Sequence, residues 1–440
     1  MKLLIQNGHV LNPADGFDQK ADILIEDGLI KQVSAEPIAD EAAEVIDAEG
    51  LYVMPGFIDL HVHLRDPGLT YKETLATGGM AAARGGFTTI CPMPNTKPVT
   101  DTPEKVAEVV KRAKVESPVH ILPVGAVTFG MEGKEVTDIA GMKEAGAIAI
   151  SEDGKSVMDS AIYAEGMKRA AEAGIPVFAH CEDIRLVRGG VMNAGKKAEE
   201  LGLPGITNAV EDIIAIRDIL LAEETGAKLH LCHCSTKYSV PMVEQARAKG
   251  LPVTAEVCPH HFAMSEEDIT EDHGRFKMNQ PLRAPEDVQA LKEGIRAGIM
   301  TCISTDHAPH SEEEKNCSMK KASFGIVGLE TAFGLSVTEL VEGGYLTPMQ
   351  LAAHMSLNPA NVIGIPKGDI SQGKCADIAI VDMKEKWVVN SEEFASKGKN
   401  MPFEGWTLTG RVKYTICDGK VVFTMKDPDS SHVAEHACMQ

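Results

Sequence analysis

The sequence predicts an α/β protein: a (β/α)₈ barrel of TIM type with a small β domain formed by both chain termini. Three observations carry this. Apolar strand segments alternate with helical ones through the middle of the chain, both ends share a texture of short alternating strands, and metal-ligating side chains gather where the middle strands end.

Residues 1–54 read as short antiparallel strands. KLLIQNG, ADILIEDG, LIKQV, AEVIDAEG and LYVMPG pair period-two apolarity with Asn-Gly, Asp-Gly and Glu-Gly turns. The same texture returns in CADIAIVD and RVKYTICDGKVVF. Neither end alone supplies a stable sheet, so the two are expected to join, with residues 1–54 plus 366–440 as the composite β domain and residues 55–365 as the barrel.

Eight strand candidates follow in the middle: FIDLHVH (57–63), FTTICPM (87–93), HILPVGAV (120–127), AIAIS (147–151), PVFAH (176–180), KLHLCH (228–233), PVTAEVC (252–258) and TCISTD (301–306). Helical stretches such as TPEKVAEVVKRAKVE and SAIYAEGMKRAAEAG lie between them. Alternation of this kind calls for a parallel sheet with crossover helices, and eight units point to closure. An open doubly wound sheet is the alternative, but the glycine-rich nucleotide turn is missing.

Composition narrows the partners. The 440 residues are 44% hydrophobic and 24% charged, values of an ordinary globular chain. With 64 acidic against 43 basic residues the net charge is −21, and there is no basic block, so nucleic acid and anionic membranes are poor partners. No apolar run is long enough to span a membrane, and MKLLIQNGHVLNP does not read as a signal peptide. Ten scattered cysteines without CxxC pairing suggest reduced thiols and a cytoplasmic protein. The last fourteen residues, DPDSSHVAEHACMQ, read as a loosely held tail.

The polar residues at strand ends define the expected site, because barrel enzymes work at that face. His61 and His63 lie two apart in a strand and share one face, as a pair of metal ligands would. His180 and His233 end two further strands. Asp153, in SEDGK, is placed to bridge two metals, with Glu152 facing the other way and Lys155 past the strand end. Asp306 closes the last strand in STDHAPH, where a carboxylate beside a metal can shuttle a proton. Arg65 offers a fork for a carboxylate, and Asn95 and His310 sit on neighbouring loops. His230 has the opposite parity to His233 and is expected to face the helices, and His120 to sit at the far end of the barrel. His260 and His261 carry no assigned role.

The run PGFIDLHVHLRDPG resembles the amidohydrolase superfamily, and its HxHxRDPG form is similar to the bacterial class I dihydroorotases. The similarity continues through GGFTTICPMPNT, AHCED, CHCST, TAEVCPHHF, KMNQPLR, STDHAPH, FGIVGLET and NMPFEGWTLTGRV, nearly the whole chain. It implies two zinc ions per subunit: His61, His63 and Asp306 on one, His180 and His233 on the other, and Asp153 bridging. Asp306 would be the proton shuttle. Arg65, Asn95 and His310 would hold the substrate carboxylate. Asn279, with the backbone at Phe324 and Gly325, would meet the pyrimidine ring, and the segment around 311–322 resembles the family's mobile loop.

The implied reaction is the reversible cyclisation of N-carbamoyl-L-aspartate to L-dihydroorotate in pyrimidine synthesis, with a metal-bridging hydroxide attacking the ring amide. A homodimer is the expected assembly. The resemblance adds aspartate transcarbamoylase as a candidate partner. Departures are Glu152 in place of a second Asp, Gln280 in place of a Pro, and Cys232 and Cys234 flanking His233; with Cys181, Cys232 suggests an oxidation-sensitive site. The alternatives are a hydantoinase, dihydropyrimidinase or allantoinase, normally built on a carboxylated lysine, and a non-catalytic scaffold subunit lacking metal-ligand histidines.

Overall fold

Asp27-Gly28 and Asp418-Gly419 each adopt left-handed φ at both positions (51° and 82°, 50° and 72°) and close two-residue hairpins at opposite ends of the chain. Both hairpins belong to one eight-stranded sheet in this computed structural model, which describes residues 2–425. The tail DPDSSHVAEHACMQ lies outside the described residues. Strands Lys2–Asn12, Phe17–Glu26, Leu29–Ser34, Glu44–Asp47 and Tyr52–Pro55 come from the N-terminal end, and Ile378–Val388, Thr407–Cys417 and Lys420–Thr424 from the C-terminal end. The seam is the antiparallel pairing of Met54 with Ala379 and Val53 with Ile380. One face buries Ile5, Ile23, Ile25, Val53, Ile378 and Ile416 as a core of its own.

Strand Tyr52–Pro55 runs through Gly56 into the first barrel strand, Phe57–Val62. The other barrel strands are Phe87–Pro92, the broken strand His120–Ile121 and Val124–Ala126, Ala149–Ser151, Val177–Ala179, Leu229–Leu231, Val253–Val257 and Cys302–Ile303. All pair in parallel with their neighbours, and a parallel bridge from Val62 to His307 returns the last to the first. The eight predicted segments are therefore the eight barrel strands. The helices Leu75–Arg84, Pro103–Glu116 and Ser160–Ala173 start on side-chain caps, Thr74, Thr102 and Asp159, which satisfy amides left open by the first turn.

The chain between Val388 and Thr407 leaves the sheet and crosses the carboxyl-end loops of the barrel. Ala395 and Ser396 donate backbone N–H groups to Glu330, Ser396 Oγ bonds Glu73, and Asn400 reaches the 309–325 segment. Met401 and Phe403 pack there with Met319, Ile326, Val327 and Leu335. Among the described residues no helix is long and apolar enough to cross a membrane.

Candidate active site

Each barrel strand delivers side chains at period two, and the first delivers three. Asp59, His61 and His63 alternate along Phe57–Val62 and its next residue. Asp59 accepts N–H groups from His61 (3.0 Å) and Thr305 (3.1 Å), which ties the first strand to the last. Burial pushes its carboxyl up to about 7. Just past their strands, Arg65, His233 and Asp306 hold left-handed φ (58°, 36° and 48°), a conformation that costs on the order of 1–3 kcal/mol in a non-glycine residue. Those bends aim the three side chains over the barrel mouth.

Four imidazoles and two carboxylates converge there. Asp153 lies between them: Oδ1 is 3.3 Å from His61 Nε2, 3.3 Å from His180 Nδ1 and 3.8 Å from His233 Nε2, while Oδ2 is 3.4 Å from His63 Nε2. Asp306 Oδ1 is 3.1 Å from His63 Nε2 and 3.6 Å from His61 Nε2. His180 Nδ1 and His233 Nε2 stand 2.9 Å apart. Three of the rings are fixed by the nitrogen that faces away: His61 Nδ1 by Glu256 (3.1 Å), His63 Nδ1 by Asn95 Oδ1 (3.0 Å) and His180 Nε2 by Glu182 (2.9 Å). His233 Nδ1 is buried without a partner.

This donor set suits a divalent metal. His61 Nε2 is fully buried, faces two carboxylates and makes a good hydrogen bond to neither, and His61, His63 and Asp306 on one side and His61, Asp153 and His233 on the other bring their ligand atoms within 4.8 Å. The two carboxylates favour positive charge at this point. Burial works against ionisation of Asp153 and Asp306, but the imidazoles beside them outweigh it and hold both well below the usual carboxylate range. Burial also works against the charged form of His180, yet Asp153 and Glu182 lift it to about 10.

A cavity of about 260 Å³ opens over the cluster, lined by Arg65, Asn95, Asn279, Phe324 and Gly325 and by every residue of the ligand set except His61. Arg65 Nε donates to Pro309 O (3.2 Å), and its Nη2 lies 3.3 Å from His310 Nε2. His310 Nε2 is 2.8 Å from Phe324 O. Gly325 has φ 130°, and a Cβ there would lie 2.6 Å from that of Ala308, so only glycine leaves this wall in place. Asn279 Oδ1 is buried and unpartnered in the same wall. The 311–322 segment is tied down by Lys315, whose Nζ donates to the carbonyls of Lys277, Ser323 and Gly325 at 2.7–2.8 Å.

Ten of the twelve sequence-predicted site residues line this cavity; His61 lies beneath it against Asp153 and Asp306, and His310 lies behind Arg65 and Phe324, facing a neighbouring cavity. Asn95 differs in detail: its amide spans His63 and Asp153 Oδ2 (3.0 Å) on the ligand side. Lys155 points away, to Met131 O. His230 corrects the parity argument. It lies inside the barrel, its Nε2 3.0 Å from Glu256, because the strand ends at Leu231 and the bend at His233 breaks the alternation that was carried through it. The expected oxidation sensitivity loses its basis too: Cys181 and Cys232 are buried, and burial pushes both thiols up, away from the reactive thiolate. Sequence reasoning missed Glu256 and Glu182, which hold the rings of His61 and His180. For Glu256 a signal existed, a lone carboxylate in the apolar strand VTAEV.

Comparison with known proteins places this site. Residues 50–239 match the family model described as Dihydro-orotase-like. The dihydroorotase of Pelotomaculum thermopropionicum is 47% identical over 422 residues, 96% of this chain and 98% of its own. That of Geobacillus sp. (strain WCH70) is 46% identical over 423 residues, 96% of this chain and 99% of its own. Among solved structures, L-hydantoinase (dihydropyrimidinase) from Arthrobacter aurescens superposes with a TM-score of 0.86 at 28% identity, covering 96% of this chain and 95% of its own. Dihydropyrimidinase from Brevibacillus agri NCHU1002 shares the fold, with a TM-score of 0.84 at 24% identity over 96% and 95% of the two chains. Barrel, composite sheet and ligand cluster together define a cyclic amide hydrolase of the amidohydrolase type. Within that class the chain belongs to the dihydroorotase family.

Proposed function

We propose that the protein is a zinc-dependent dihydroorotase, interconverting L-dihydroorotate and N-carbamoyl-L-aspartate. The observation that carries this reading is Arg65 on the wall of the cavity that opens over the histidine–carboxylate cluster, with His310 Nε2 behind it, 3.3 Å from its Nη2. A neutral cyclic amide such as hydantoin has no carboxylate for that pair, whereas dihydroorotate does.

His61, His63, Asp153, His180, His233 and Asp306 would hold two zinc ions, with Asp153 between the pairs. Metal bound there would lower the pKa of a water to about 7 and polarise the ring carbonyl. The protein's own residues do the rest. Arg65 and His310, with Asn95 beside them, hold the carboxylate and so fix which carbonyl lies over the cluster. Asn279 and the backbone at Phe324 and Gly325 meet the ring edge. Asp306, acceptor-only when ionised, takes the proton of the attacking water and hands it to the departing ring nitrogen; in the cyclising direction the same carboxylate returns it.

Replacing Arg65 with Met tests the carboxylate end. Removing one partner of a charged hydrogen bond costs several kcal/mol, so kcat/KM for L-dihydroorotate falls about 10²-fold or more while bound metal is retained. An unchanged kcat/KM would place the carboxylate elsewhere.

A further inference from the structure

We propose that Lys72 is a positioning residue that fixes the proton of His310 on Nε2, so that this N–H and the Arg65 guanidinium present two donors to the substrate carboxylate. The inference rests on the reading of Arg65 and His310 given above.

Lys72 is buried on the loop that follows the first barrel strand. Its Nζ lies 3.1 Å from His310 Nδ1 and 2.8 Å from Glu314 Oε1. An ammonium has donors only, so Nδ1 must accept and carries no proton. The ring proton of a neutral His310 is then on Nε2, where Phe324 O accepts it at 2.8 Å. Both ring nitrogens are therefore specified, by groups on two different loops. The backbone holds as well: His310 N donates to Asn400 Oδ1 (3.2 Å), the first residue of the NMPFEGW motif.

That tautomer leaves a local conflict. Arg65 Nη2 lies 3.3 Å from a nitrogen that already bears hydrogen, so two donors face one another. Among the described residues no carboxylate lies within ion-pair distance of Arg65. A substrate carboxylate oxygen accepting from both resolves the conflict, with Phe324 O as the placeholder in the free protein.

The groups facing His310 also explain why the ring stays neutral. Burial opposes a further positive charge first, Arg65, Lys72 and Lys315 add to it, and Glu314 Oε2 favours the charge from 3.6 Å off Nδ1, so that His310 is pushed down to about 3. Without Lys72, Glu314 is the remaining polar partner on the Nδ1 side. The proton would then move to Nδ1, or the ring would become charged within the assay range, and Nε2 would no longer be a dependable neutral donor.

The test is long-range ¹H–¹⁵N NMR of histidine-labelled, metal-loaded enzyme, with His310 assigned by its loss in His310→Asn, alongside kinetics on L-dihydroorotate. The wild type should show the neutral Nε2–H form at pH 7. Lys72→Met should lose it, raise KM about tenfold with kcat changed less than about twofold, and make KM vary between about pH 6 and about pH 8 where the wild-type value does not. Lys72→Arg, which keeps a cationic donor, should restore the tautomer. A His310 found as Nδ1–H or imidazolium in the wild type overturns the proposal even if Lys72→Met does not fold. So does a folded Lys72→Met with unaltered tautomer and KM. If His310→Asn itself leaves KM unchanged, the carboxylate reading has failed instead.

Discussion

Asp306 sits where two requirements meet. It stays ionised beside His61 and His63, and the proposed reaction requires it to exchange a proton during turnover. The short contact to His63 Nε2 (3.1 Å) serves the first, and its place on the cavity wall serves the second. Asp306→Asn keeps the size and one acceptor oxygen but removes the base. Turnover of L-dihydroorotate should fall about 10²–10⁴-fold or more, with metal content, measured by atomic absorption, largely retained. Near-normal turnover would refute the shuttle assignment. At this scale the sequence was most legible where chemistry demands a residue type at a strand end: His61, His63, His180, His233 and Asp306. It was least legible for residues whose role is set by a partner distant in the chain. Nothing in YKE announces that Lys72 meets His310, 238 residues later.

Among the elements, strand Val253–Val257 does more than complete the barrel. Its Glu256 accepts from His61 Nδ1 (3.1 Å) and contacts His230 Nε2 (3.0 Å), linking three strands beneath the ligand cluster. Burial opposes its charge, but the two imidazoles hold it well below the usual carboxylate range. Glu256 is therefore a buried anion that keeps His61 Nε2 free for a metal. Glu256→Gln should weaken metal retention about 10–100-fold in chelator competition, with the fold preserved by circular dichroism. Unchanged retention would show that packing alone orients His61. Strand identity was readable from apolar runs and turn residues, but strand parity failed beyond Leu231, since an alternation argument holds only while the backbone stays extended.

At the scale of the whole molecule, the two chain ends share one sheet, and the C-terminal segment then returns over the barrel mouth. Asn400 Nδ2 donates to Gly325 O at 3.0 Å, while its Oδ1 holds the His310 amide. The strap from the composite sheet thus bonds the loops that carry His310 and Gly325. The eight-strand count and the joining of the ends were legible because local periodicity encodes them. The strap was not, because its contacts span more than 70 residues and leave no periodic trace. The same architecture serves hydantoinases, so fold cannot decide substrate; the proposed reading places that decision on Arg65 and His310. The most direct measurement is hydrolysis of L-dihydroorotate by the zinc-supplemented protein, with hydantoin, dihydrouracil and allantoin assayed in parallel. Turnover of dihydroorotate alone is the predicted result. Activity on a neutral ring in preference to dihydroorotate would contradict the role given to Arg65 and His310.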